Sequence, residues 1–139
     1  MVAFNKFEVF TEDLVDGVHL MDAANHQLEC YLSNATPSAS LDAVKADLAE
    51  ITIENGYTGP EDTAQTVSRA AGVTSVVGVD IVITATGSVG PFRYVVLQNT
   101  TPTSPLDPLI SWWDYGSSIS LASGETFTID FGTSMFTVT

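Results

Sequence analysis

Positive charge is what this chain has least of. Four Lys and Arg residues (Lys6, Lys45, Arg69 and Arg93) stand against 17 Asp and Glu, a formal net charge of −13 over 139 residues. A field of that sign repels phosphate backbones and anionic lipid headgroups, so nucleic acid and membrane surfaces are excluded as partners. Cysteine is nearly missing as well. Cys30 stands alone and allows no intrachain disulfide, and its neighbours Leu28 and Leu32 share its strand face, as a buried structural thiol requires. Long apolar runs are absent: no stretch reaches the roughly 18 residues of a membrane helix. The opening MVAFNKFEVFTEDL has no uninterrupted apolar core and carries acids at once, so no secretory signal is expected and synthesis is placed in a cytoplasm.

Catalytic patterns are missing in the same way. There is no G-x-S-x-G elbow, and neither Gly56…Gly59 nor Gly87…Gly90 leads into Lys-Ser or Lys-Thr as a phosphate loop does. Asp130-Phe131-Gly132 spells a kinase tripeptide without the other kinase signatures. His19, Asp22 and His26 have a spacing that would align three ligands on one continuous helix, but the apolar period has faded there, and two solvated histidines are the simpler expectation. Glu61-Asp62 and Asp107 are oxygen-rich loop positions that do not fit the calcium-loop pattern. The expectation is therefore no enzyme, no metal and no cofactor.

What is present is alternation. Only 15% of residues are charged, and Thr and Ser fill the gap, which suits strands with a neutral polar outer face. Phe4–Met21 places Phe7, Phe10, Leu14 and Val18 at helical spacing opposite Glu8, Glu12, Asp13 and Asp16, with Thr11 as an alternative N-cap for a shorter helix. Gln27–Ser33 reads as a strand. Ser40–Ile51 reads as an N-capped helix with the stripe Leu41, Val44, Leu48 and Ile51. Thr63–Val77 divides at Gly72 into two candidate strands, and Gly78–Thr86 alternates Val79, Ile81, Ile83 and Ala85 with polar or outward residues. Thr100–Pro108, with three prolines, is an irregular surface loop, and Ser134–Thr139 is a closing edge strand.

Gly90–Phe131 is the most informative stretch. In Phe92–Asn99, alternation assigns Phe92, Tyr94 and Val96 to one face and Arg93, Val95 and Leu97 to the other. Leu109–Tyr115 puts Trp112 and Trp113 on opposite faces, and Glu125–Phe131 alternates Phe127, Ile129 and Phe131 with Thr126, Thr128 and Asp130. The fold class that follows is mainly β: one domain over 1–139, an antiparallel β-sandwich of about seven strands, with helical material confined to the first 51 residues. Residues 1–22 form an N-terminal helix or arm, and 27–139 form the sandwich with a helical insertion near 40–51. Phe127, Ile129 and Phe131 are expected to be buried together with Val79, Ile81 and Ile83.

The succession GPFRY, LISWWDYG and GETFTIDF resembles small structural proteins of tailed-bacteriophage heads, specifically capsid decoration (cement) proteins. That resemblance covers residues 75–131 best. It implies a jelly-roll-like sandwich, often a homotrimer, which binds the outer surface of the capsid and bridges neighbouring major capsid subunits. It also implies a virion location after synthesis in the host. A tail or head–tail connector subunit shares the same composition and differs in symmetry. A carbohydrate-binding module is the alternative of another class, with Trp112, Trp113 and Tyr115 as a stacking platform. The candidate interface residues are Trp112, Trp113, Tyr115, Arg93, Phe4 and Phe7, the last two in an apolar N-terminal arm.

Overall fold

The computed structural model describes residues 2–139, and 43% of the chain is strand against 7% helix. The chain is mainly β, and among the described residues all strand pairs are antiparallel and there is one α-helix. Ten strands lie among the described residues: β1 (Phe4–Lys6), β2 (Leu28–Ser33), β3 (Glu61–Asp62), β4 (Thr66–Ala70), β5 (Val73–Val77), β6 (Ile81–Thr84), β7 (Val89–Asn99), β8 (Leu109–Leu121), β9 (Thr126–Ile129) and β10 (Phe136–Val138). They form a five-stranded sheet ordered β1-β8-β7-β2-β3, a three-stranded sheet β10-β5-β4 and a two-stranded sheet β6-β9. The short strands β1 and β3, absent from the sequence expectation, are the two edges of the large sheet.

β7 sits at the centre of that sheet, and burial is unbroken from Tyr94 to Asn99 because both faces are covered. On one face Leu28, Cys30, Leu32, Val95, Leu97 and Trp113 meet Val76, Ile81, Ile83, Phe127, Ile129 and Phe136 of the smaller sheets in the main core. On the other face Tyr31, Tyr94, Val96 and Leu109 meet Phe7 and Leu48 in a second, smaller cluster. A strand packed on both sides reads as the continuous run Tyr94-Val95-Val96-Leu97 rather than as clean alternation.

Four expectations are corrected. The first concerns Phe92. Between Phe92 and Tyr94 the opposing residue jumps from Ile119 to Asp114, a bulge that turns Phe92 into the main core beside Val95 and Leu97 and away from Tyr94 and Val96. Second, the N-terminal helix is short: Phe4–Lys6 pairs with β8, and the α-helix, α1, covers only Val9–Val15. Phe7 and Phe10 would share a face of one helix, but they lie in clusters on opposite sides of the large sheet, so the chain crosses the sheet edge between them.

Third, Ser40–Ile51 is not a helix beyond a single 3₁₀ turn at Lys45–Asp47. Its backbone is bonded across the chain instead: Leu109 N–H donates to the Ala43 carbonyl at 2.9 Å, Lys45 N–H to the Asp107 carbonyl at 3.0 Å and Ile51 N–H to the Leu32 carbonyl at 3.0 Å. Of the expected stripe Leu48 is buried, while Leu41 is 79% exposed. Fourth, the shared burial expected of the two best alternating segments holds for Phe127, Ile129, Phe131, Ile81 and Ile83 and fails for Val79. The two segments pair directly, Ile81 with Ile129 and Ile83 with Phe127, and all four are buried as neighbours in one small sheet. Val79, outside the paired residues, is 62% exposed.

Candidate functional site

The β7–β8 pair carries most of the residues singled out from the sequence. Trp112 and Trp113 do point to opposite faces, as adjacent strand residues must. Trp113 lies in the main core, its ring 5.9 Å from Phe4 and 5.8 Å from Phe131. Trp112 is half-buried over Phe7, with ring centroids 4.7 Å apart. Phe7 has no exposed surface. Phe7 and Trp113 are therefore core side chains with nothing to present to a partner, which corrects their place among the interface candidates. Phe4 is half-buried at the sheet edge, 5.4 Å from the Phe136 ring, and Tyr115 is half-buried against Phe127 at 5.1 Å. Burial pushes the Tyr115 phenol up to about 12, with the nearby Cys30 and Asp130 adding to the shift.

Arg93 does reach the surface. Its guanidinium grips Asp114 in a two-pronged ion pair, Nε to Oδ1 at 2.8 Å and a terminal nitrogen to Oδ2 at 3.0 Å. The Arg93 hydrogen bonds, with the Gly116 N–H at 2.7 Å, hold the Asp114 carboxyl below the usual carboxylate range. The bulge that reorients Phe92 also brings Asp114 opposite Tyr94, so the ion pair lies two residues along the strand from Trp112 on the same face. The result is a compact surface patch of one indole, one ion pair and the rim of the second cluster.

Beside it, the Ala43–Tyr57 segment is pinned to β2 by tyrosines. The Tyr31 hydroxyl donates to the Leu48 carbonyl at 3.0 Å, and the Tyr57 hydroxyl donates to Glu50 at 2.6 Å while accepting from Leu32 N–H at 3.0 Å. Lys45 closes the network, 2.8 Å from Glu50 and 5.2 Å above the Tyr31 ring. Next to Lys45 opens a groove of about 490 Å³ lined by Val44, Lys45, Ala46, Ala49, Leu106 and Asp107. It is apolar apart from one cation and one acid, and carries no converging set of polar groups.

The histidines meet a partner that sequence spacing missed. Asn99 Nδ2 lies 3.0 Å from His19 Nδ1 and 2.8 Å from His26 Nδ1. The amide is oriented by Thr101 N–H, which donates to Asn99 Oδ1 at 3.2 Å, and His26 Nδ1 also accepts from Leu20 N–H at 3.1 Å. With the Asn99 amide donating, Nδ1 of each ring is the acceptor. His19 Nε2 points at Asp13 Oδ2 from 4.0 Å, and both atoms are buried without a hydrogen-bond partner. Burial, with His26 nearby, lowers the His19 pKa to about 4, and burial raises that of Asp13. The Nδ1 atoms are engaged and the His19 side chain has no exposed surface, so Asn99 clasps the two rings to the end of β7.

Asp22, which shares the histidine spacing, accepts instead from the Asn25 side-chain amide at 2.9 Å. Asp62 accepts from Ala64 N–H at 2.8 Å, and Glu61 takes the Thr58 hydroxyl. Among the described residues no three His, Cys, Asp or Glu side chains converge as a metal site would need. Cys30 has no exposed surface, and burial pushes its thiol far above its ordinary range.

Set against protein-family models, curated proteins and solved structures, the chain matches none. Among the described residues no helix is long and apolar enough to cross a membrane.

Proposed function

We propose that this chain is a non-catalytic structural protein of a bacteriophage virion: a capsid decoration protein that binds the outer face of the major capsid subunits and associates with itself. What supports the reading is the meeting of three strand segments. GPFRY, LISWWDYG and GETFTIDF, the segments that carry the resemblance, come together in one aromatic framework. Phe92 lies 4.8 Å from Phe127, Tyr115 lies 5.1 Å from Phe127, and Trp113 lies 5.8 Å from Phe131. Aromatic packing of that density makes a rigid scaffold, which suits a lattice-binding role more than a moving active site. In the same reading the layers form an antiparallel sandwich of jelly-roll kind, the copies gather as trimers, and the Trp112, Arg93 and Asp114 patch faces a capsid subunit.

The test is reconstitution on particles of a phage whose genome encodes this chain, with the gene deleted. Purified protein should bind the heads saturably and raise the temperature at which they rupture. Binding confined to tails or to the head–tail junction would replace this reading with the connector. Retention on polysaccharide without binding to either would replace it with the carbohydrate-binding module.

A further inference from the structure

The hairpin of β4 and β5 stands apart from the rest of the chain in charge. From Thr63 to Val79 there is no Asp or Glu, although the chain carries 17 of them, and Arg69 lies at its centre. All five residues of β4 are exposed, and among the described residues β4 pairs with β5 alone. Its other edge is open. An open edge is a template for another strand unless charge, proline or a bulge blunts it. Here Arg69 is the one charge, no proline intervenes, and the register from Thr66–Val77 to Ala70–Val73 is unbroken.

Which backbone groups lie on that edge follows from the turn. Ala71 and Gly72 both have positive φ, 50° and 81°, the two-residue primed turn that matches strand twist. Ala70 and Val73 flank it as a hydrogen-bonded pair, so Ser68 and Thr66 also bond to β5. Val67 and Arg69 therefore turn their N–H and C=O groups outward, away from β5.

We infer that β4 pairs antiparallel with β4 of a second copy of this chain about a two-fold axis through Ser68. In that register Val67 of each copy lies opposite Arg69 of the other, Thr66 lies opposite Ala70, and Ser68 lies opposite itself. Each Val67–Arg69 pair exchanges two hydrogen bonds, so every outward backbone group of the two residues finds a partner. No like charges are opposed, since Arg69 meets Val67 and not its own counterpart. The contact also joins two molecules of charge −13 at their acid-free segments, where mutual repulsion is least. It continues the three-stranded sheet across the axis as β10-β5-β4-β4-β5-β10, and it uses none of the residues assigned to the capsid patch.

Cysteine crosslinking reads the register directly. Ser68 is a non-hydrogen-bonded position on the new seam, where opposed Cα atoms come within about 4.5 Å, inside disulfide range. Under mild oxidation of the isolated protein, Ser68→Cys should form a covalent dimer at least about ten times faster than Ser123→Cys, an exposed control. Thr66→Cys and Ala70→Cys should behave like the control, because each new thiol lies about 13 Å along the strand from its counterpart. Adding Val67→Pro to Ser68→Cys should abolish the rapid crosslink while the thermal midpoint stays within a few degrees, since that N–H is not used by β5. Equal rates at positions 66, 68 and 70, or a Ser68→Cys rate no faster than the control, would overturn the pairing. Survival of the crosslink in the proline variant would do the same.

Discussion

At the scale of single residues, the clasp of Asp13, His19, His26 and Asn99 makes stability depend on pH in a direction that can be worked out. The folded His19 pKa is about 4 against an ordinary value of 6.5, because burial disfavours the imidazolium. Between those two values the unfolded chain binds a proton that the folded chain refuses, so stability falls as pH drops below 6.5, by at most about 1.4 kcal/mol per pH unit. Asp13 acts the other way: its raised pKa means that the folded state gains as its carboxyl is protonated, offsetting the loss at the acid end of the window. Chemical denaturation at pH 7, 6 and 5 should show the decline in the wild type. His19→Gln should flatten it, since the amide fills similar space and does not titrate. An unchanged slope in the variant would place the titration elsewhere.

Strands, helix and loops are governed here by which side of the large sheet each covers. β6 and β9 form a small sheet whose inner residues reach the main core, and the Phe127 ring packs against both long strands, through Phe92 and Tyr115. Phe127→Ala removes that bridge and leaves a void, at a cost of about 3–5 kcal/mol. The two indoles of β8 should differ. Trp113→Ala belongs to the same cost class, whereas Trp112→Ala should leave a folded chain and, if the proposed function holds, weaken its binding to the capsid. Thermal unfolding of the three variants separates these outcomes, and two tryptophan variants with equal midpoints would contradict the assignment of Trp112 to the surface. The Ala43–Tyr57 segment makes the complementary point. A helix there would satisfy its own backbone, but the bonds to Leu109, Asp107 and Leu32 satisfy it as well, while Leu48 joins the second cluster and Tyr57 the main core.

For the whole molecule the governing quantity is charge. Twelve of the 17 acids precede residue 70, leaving five in the second half with Arg93 as its one cation. Copies of such a chain repel at low salt. Apolar and backbone contacts between them survive salt, while the repulsion shrinks with the Debye length to about 3 Å at 1 M. Self-association measured by sedimentation should therefore persist or strengthen in molar salt, and on the proposed function any weakening should fall on the contact with the capsid. A species associated in dilute buffer that dissociates in molar salt would show that ion pairs, rather than strand pairing and apolar surface, hold the copies together.

The sequence by itself determined the mainly β class, the strands at Gln27–Ser33, Gly78–Thr86 and Glu125–Phe131, the opposite facing of Trp112 and Trp113, and the buried thiol of Cys30. Each of these rests on period-two alternation or on the chemistry of one residue, which are local properties. Only the tertiary structure decided that Phe7 and Phe10 lie on opposite sides of the large sheet, that Phe92 turns inward at a bulge, and that Ser40–Ile51 spends its backbone on distant partners. The same holds for the clasp, since His19 and Asn99 are 80 residues apart in sequence. Such outcomes depend on which segments the folded chain brings side by side, and neither spacing nor propensity within one segment carries that information.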